Sequence, residues 1–291
     1  MLAQLLRPLE DAALTEGYSG RPSARARDAH LCVVTARVAL LALSVGTCAV
    51  AEDHIDTDGP DFVDSSEVVG KGRFQFEANL VYQLQSSGAT QQQLIGTPTL
   101  LRFGLTDSLE ARAQIGGWQW AQSAPSMPAG TESGWADTAI GAKWHFLDPD
   151  YRVRPSACLI FEVETPTGSS SFRGSGYRPS LRSVMTWDLS ETLSASIMPD
   201  LAYQSTGEAQ RYLAGSFGAT IGRWWTARFR AFIEFAGEQF APAKDGGNVI
   251  LWDGGASYLL GDNWELGTRL GVGANANSPS FFALLMLAGR F

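Results

Sequence analysis

From residue 70 to the end of the chain, apolar and polar residues alternate with the period of two that marks strands wet on one side and apolar on the other. In the first run Phe74, Phe76, Ala78, Leu80 and Tyr82 share one face, and Arg73, Gln75, Glu77, Asn79 and Gln83 the other. Later runs repeat the pattern. Leu109, Ala111, Ala113 and Ile115 oppose Glu110, Arg112 and Gln114; Ala157, Leu159, Phe161 and Val163 oppose Cys158, Glu162 and Glu164. Phe229, Ala231, Ile233 and Phe235 oppose Arg230 and Glu234, and the final run sets Ala283, Leu285, Leu287 and Phe291 against Phe282, Leu284, Met286 and Arg290. Short turns fall at Thr106-Asp107-Ser108, Asp148-Pro149-Asp150 and Gly261-Asp262-Asn263, and longer loops at 118–134 and 166–176. The pattern predicts about twelve strands with connections alternately long and short, an arrangement that suits a closed barrel crossing a membrane with both termini on one side.

Ahead of the strands stand two other segments. Residues 38–50 form a short apolar run behind Arg25, Arg27 and Arg37, ending in Ala49-Val50-Ala51 before acidic Glu52 and Asp53. Positive flank, short apolar centre and small-residue site together read as a secretory signal. The organisation expected is therefore a leader over 1–51, a periplasmic N-terminal segment over 52–69 and a barrel over 70–291. The long stretch before the apolar run suggests that translation starts downstream, near residues 31–34. Removal of the leader takes away Cys32 and Cys48 and leaves Cys158 alone, so no internal disulfide can form.

Composition narrows the class. Charged residues make up 18% of the chain, below the roughly 25% of soluble proteins, yet the mean hydropathy of -0.05 is near neutral. Helical membrane proteins need uninterrupted apolar spans of about 20 residues, and none is present. Gly 31, Trp 9 and Phe 15 suit a barrel, in which only alternate residues meet lipid. A net charge of -8 excludes nucleic acid as a partner.

Charge placement separates a membrane barrel from a soluble sandwich. About nine basic and nine acidic strand residues fall on the polar face and essentially none on the apolar one, where a mid-membrane Arg or Lys would cost about 2–4 kcal/mol. Trp144, Phe146, Trp187, Tyr203, Trp252, Tyr258 and Trp264 sit at strand ends on the apolar face, where interfacial girdles belong. The fold expected is an all-β, antiparallel up-and-down transmembrane barrel of the Gram-negative outer-membrane type. Its partners would be outer-membrane lipid, a small-molecule solute, and the insertion machinery reading the terminal Phe291.

Several segments resemble an outer-membrane transporter family named after the phenol-degradation meta-pathway. They are Thr97-Pro98-Thr99-Leu100-Leu101-Arg102-Phe103-Gly104-Leu105, Glu164-Thr165-Pro166-Thr167-Gly168, Trp252-Asp253-Gly254-Gly255-Ala256-Ser257-Tyr258 and the closing Leu287-Ala288-Gly289-Arg290-Phe291. The resemblance spans roughly residue 67 to the end. It implies a barrel with a transport role and supplies no catalytic residues; the family's name suggests aromatic or hydrocarbon substrates.

The inward charges are the candidate passage: Arg102, Arg112, Glu162, Glu164, Arg182, Arg228, Arg230, Glu234, Asp253 and Arg269, with Arg73, Glu77, Glu110, Asp137, Lys143, Asp200 and Glu265 beside them. Their near-balanced signs favour pairing across strands over a charge-selective pore, and Arg182 is expected to pair with a carboxylate of Glu162 or Glu164. An inward apolar set, Leu251, Leu259, Phe282, Leu284 and Met286, is either a pocket for an apolar solute or the seat of an N-terminal plug. No cofactor, metal site or nucleophile motif is expected, and enzyme activity is not. The function expected is passage of small apolar or aromatic solutes, with a non-selective small porin and a filled structural barrel as alternatives. N-terminal sequencing of the exported protein should find a mature end just after residue 51; an end upstream of residue 38 would exclude the secretory signal.

Overall fold

The computed structural model describes residues 54–87, 90–124, 130–206, 209–238 and 247–291. The leader expected over 1–51 lies outside the described residues. Fifteen strand segments follow in order: β1 (Phe74–Ser87), β2 (Thr90–Gly96), β3 (Thr99–Gly104), β4 (Leu109–Ile115) and β5 (Trp118–Ala124). Next come β6 (Thr131–Trp135), β7 (Thr138–Leu147), β8 (Ser156–Thr165), β9 (Arg178–Asp188) and β10 (Leu193–Ser205). The set ends with β11 (Arg211–Trp224), β12 (Phe229–Glu238), β13 (Val249–Gly261), β14 (Trp264–Gly273) and β15 (Phe281–Arg290).

All pair antiparallel in one sheet, which β15 closes by pairing with β1 from Gln75↔Arg290 to Leu84↔Phe281. Three pairs of segments, β2 with β3, β4 with β5 and β6 with β7, are single strands with a break, since each pair runs along common neighbours. The barrel therefore has twelve staves. The breaks line up side by side: Thr97 N–H donates to the Trp118 carbonyl (3.0 Å) and Ala136 N–H to that of Gly117 (2.9 Å). Pro98 has no N–H to give the ladder. Gly117, at φ 73°, takes a left-handed conformation that glycine adopts without strain.

This break explains one difference from expectation. Residues 118–134 were expected as a loop, but β5 and β6 continue the wall at both ends of that stretch. Its alternation is hidden because the Gly116-Gly117 pair shifts the phase. Trp118 and Trp135 emerge on the outer face in edge-to-face contact, with centroids 5.7 Å apart.

The inside-out burial accords with the lipid reading. Leu80, Ile140, Ile233 and Leu285 on the outer face are 51–66% exposed, while Arg102, Glu110 and Lys143 are fully buried inside. Water outside would reverse that pattern. Where β1 meets β15, Phe291 stacks on Phe76 (6.3 Å) and meets Trp264 edge-on (5.8 Å), with its backbone N–H donating to the Phe74 carbonyl at 2.8 Å. Replacing Ile233 by Arg, in the middle of β12, should lower folding stability by about 2–4 kcal/mol. Urea titration of the barrel in liposomes measures it; an unchanged midpoint would mean that this face does not meet lipid.

Candidate functional site in the barrel lumen

Eight strands make a barrel that side chains just fill, and diameter grows with strand number. Twelve leave a lumen too wide for the wall alone. Residues 54–69, expected as a periplasmic segment with the inward apolar set as a plug's possible seat, run through this lumen. The segment enters beside the β13–β14 turn, where Ile55 N–H donates to the Asp262 carbonyl (2.7 Å) and the His54 carbonyl accepts from Arg290 (3.1 Å). It leaves through Gly70 and Gly72, both at positive φ (86° and 77°), where the chain swings from lumen to wall.

Its carboxylates meet the wall's cations. Asp58 lies 2.5 Å from Lys143, 2.6 Å from Arg112 and 3.5 Å from Arg102. Arg102 also holds Glu110 through two hydrogen bonds (2.9 and 3.0 Å), Glu77 (3.1 Å), and the segment carbonyls of Asp56 and Glu67. Asp61 accepts two bonds from Arg230 (3.0 and 2.8 Å), and Asp64 one from Arg182 (2.9 Å), which also contacts Glu162. Wall carboxylates answer the segment's backbone in turn. Glu234 accepts the Phe62 and Val63 N–H groups (2.8 and 2.9 Å), Glu77 those of Asp58 and Gly59, and Glu110 that of Val69 (3.0 Å).

Burial works against ionisation of Asp58, but Arg102, Lys143 and Arg112 outweigh it and hold its carboxyl well below the usual carboxylate range. A lowered folded-state value means stability that is present above the ordinary carboxylate range and lost only as pH falls through the lowered value. The Asp58 contribution to docking is therefore kept in mild acid.

Most candidate residues do face the lumen: Arg102, Arg112, Glu162, Glu164, Arg182, Arg230, Glu234, Asp253 and Arg269 are buried or half-buried on the inner face. Asp253 stands opposite Glu234 across β12 and β13, and Arg269 reaches Glu234 at 3.3 Å. Arg228 does not belong with them. It lies exposed in the turn before β12, because the alternation suggests a strand from Ala227 and the strand begins two residues later, at Phe229. Arg178 was not singled out, since β9 begins earlier than expected; it bridges Asp137 (2.5 Å) and Glu164 (2.8 Å). Asp137 also accepts the Gly168 and Gly174 N–H groups (2.7 and 2.8 Å), drawing the 166–176 loop over the mouth with Phe172 buried.

The segment's own acids were missed as site residues. Asp58, Asp61, Asp64 and Glu67 recur every third residue. That spacing was the available signal.

The apolar set Leu251, Leu259, Phe282, Leu284 and Met286 is buried on the inner face. Leu251 and Phe282 pack with Ala236, Val249 and Phe62, while Leu259, Leu284 and Met286 share a cluster with Ile55. Part of this surface thus seats the segment. Glycine makes the fit possible, since a Cβ at Gly267 would lie 2.9 Å from the Pro60 ring and 3.0 Å from the Met286 methyl. Two cavities remain on either side of the segment, about 110 Å³ toward the long loops and about 320 Å³ toward the short turns. Asp58, Gly59, Asp61 and Asp64 border both.

Residues 57–291 match the family described as "Putative MetA-pathway of phenol degradation". Among solved structures, an outer membrane channel from Pseudomonas putida F1 is similar at 14% identity with a TM-score of 0.60, over 78% of this chain and 98% of that one. The beta domain of the Bordetella autotransporter BrkA is similar at 14% identity with a TM-score of 0.51, over 76% of this chain and all of that one. These likenesses place the fold among outer-membrane barrels. No curated protein matches the chain.

Replacing Asp58 by Asn should leave Lys143 without a carboxylate in the interior, take one of the partners of Arg112, and cost about 3–5 kcal/mol of docking. Hydrogen exchange at Ile55, Val63 and Val69 should then accelerate while strand amides stay protected. Unchanged exchange in the segment would show that these ion pairs do not hold it.

Proposed function

The chain belongs to this phenol-degradation family, and from that premise we propose that it is a passive outer-membrane channel for small apolar or aromatic solutes. The observation that carries the reading is a membrane barrel whose interior is neither solid nor open: two cavities flank a single irregular segment, with an apolar inner stripe from Leu251 to Met286 beside it. A wide aqueous porin needs an open lumen, and residues 54–69 occupy this one. The near-cancelling wall charges act as the segment's cradle and bracing, so they do not confer ion selectivity. Residues 1–51 serve as the export leader in this reading, and the terminal Phe291 as the mark recognised by the insertion machinery. The chemistry is passage, without a covalent step.

One observation favours a second reading, a structural barrel that conducts nothing: the segment is anchored at both ends and along its length. A planar-bilayer recording of the purified protein separates the readings. A small conductance at least halved by dissolved toluene is expected. Large, steady, toluene-insensitive conductance would make it a porin, and silence would favour the structural barrel.

A further inference from the structure

We propose that His145 is a pH-sensitive clasp, fastening the lumen segment to the wall when its ring is protonated and loosening it when the ring is neutral. The clasp stands on geometry; its effect on passage rests on the channel reading. Three consecutive carbonyls of the segment meet side chains of the inner wall. That of Ser65 accepts from Lys143 (2.9 Å), and that of Glu67 from Arg102 (2.8 Å) and Lys143 (3.1 Å). Between them, the Ser66 carbonyl lies 3.0 Å from His145 Nδ1. Lysine and arginine ordinarily titrate far above neutral pH, and histidine at about 6.5. Of these three grips, His145 is therefore the one that can switch near neutrality.

The ring is engaged on both sides. Its Nε2 lies 3.0 Å from a carboxylate oxygen of Asp148, in the turn after β7. A carbonyl and an ionised carboxylate only accept, so both ring nitrogens must carry hydrogen to complete the two bonds. The imidazolium has two such hydrogens; the neutral ring has one, and must release either Ser66 or Asp148. The Asp148 side chain is 88% exposed, so protons from the short-turn side reach the ring.

The other groups around the ring fit this assignment. Glu67 of the segment lies 3.8 Å from Nδ1 and is itself fixed by the Ser156 hydroxyl at 2.7 Å. On β7, Lys143 is matched by Asp58 at 2.5 Å; on β4, Glu110 is held by Arg102. Cys158 stands directly across on β8, Ser108 offers the ring's residue only a backbone carbonyl, and Arg154 donates to the Asp148 carbonyl.

What the clasp holds is a boundary of the larger cavity. Ser65, Ser66 and Glu67 line it, and the swing at Gly70 and Gly72 follows them in the chain. Docking that selects the protonated ring is strongest in acid and weakens as pH rises through the ring's titration. The dependence is opposite in sign to that of Asp58, whose contribution is lost as pH falls.

Hydrogen exchange on the purified full barrel, corrected for the intrinsic pH dependence of exchange, tests the clasp. Between about pH 6 and about pH 8.5, the Glu67 and Val69 amides should lose about ten-fold in protection, the low end for one hydrogen bond to a charged group. Wall amides should keep theirs. His145→Gln, uncharged throughout, should be equally loose at both pH values, and His145→Arg, charged throughout, equally tight. Protection that does not change with pH in the unaltered protein, or that still changes in His145→Gln, would overturn the clasp. In planar bilayers the conductance should at least double over the same pH interval and lose that dependence in both variants. A silent bilayer with His145-dependent exchange removes the channel reading and keeps the clasp. A toluene-blocked conductance with no His145 effect on exchange does the reverse.

Discussion

One carboxylate organises the interior. Asp58 sits among Lys143, Arg112 and Arg102, all nearly or fully buried, in surroundings where unpaired charge is costly. The three cations come from neighbouring staves, so without a shared anion they would repel one another across the wall. Glu77, Glu110 and Glu162 relieve part of that repulsion from the wall itself. Asp58 supplies the central part from outside it. The barrel's inner face and its N-terminal segment are thus mutually dependent, each holding charges that the other neutralises.

From this follows the division of the lumen. The segment leans on the β3–β4–β7 cations at one side and, through Asp61, Asp64 and the Phe62–Val63 amides, on Arg230, Arg182 and Glu234 at the other. Suspended in this way, it cannot fill a twelve-stave lumen. What is left over becomes two cavities separated by the segment's own backbone. Gly59, Gly218 and Gly267 set how closely the segment approaches the wall, and so how narrow the separation is.

Much of the wall was legible in the sequence because β structure in a membrane carries its own code. One parity must be apolar along the whole stave, so faces, turns and the approximate strand number can be read locally. The code failed where local phase broke. The Gly116-Gly117 step concealed β5 and β6, and the turn before β12 made Arg228 look inward when it is exposed. Arg178 was missed for a related reason, since it stands at the first position of its strand, ahead of any visible alternation.

The sequence by itself determined which residues face lipid and which face inward, because parity is a property of neighbouring residues along one strand. It did not determine what the inward charges meet. Arg182 could be matched with a carboxylate nearby, but its partnership with Asp64 joins residues 118 positions apart. Asp58 and Lys143 are likewise distant in the chain and adjacent only across the closed lumen. The acidic segment looked like a periplasmic lead-in because its acids, though regularly spaced, do not identify the cations they meet. Only closure of the barrel brings those cations around a single axis, and only then does an acid at every third residue acquire a place to go.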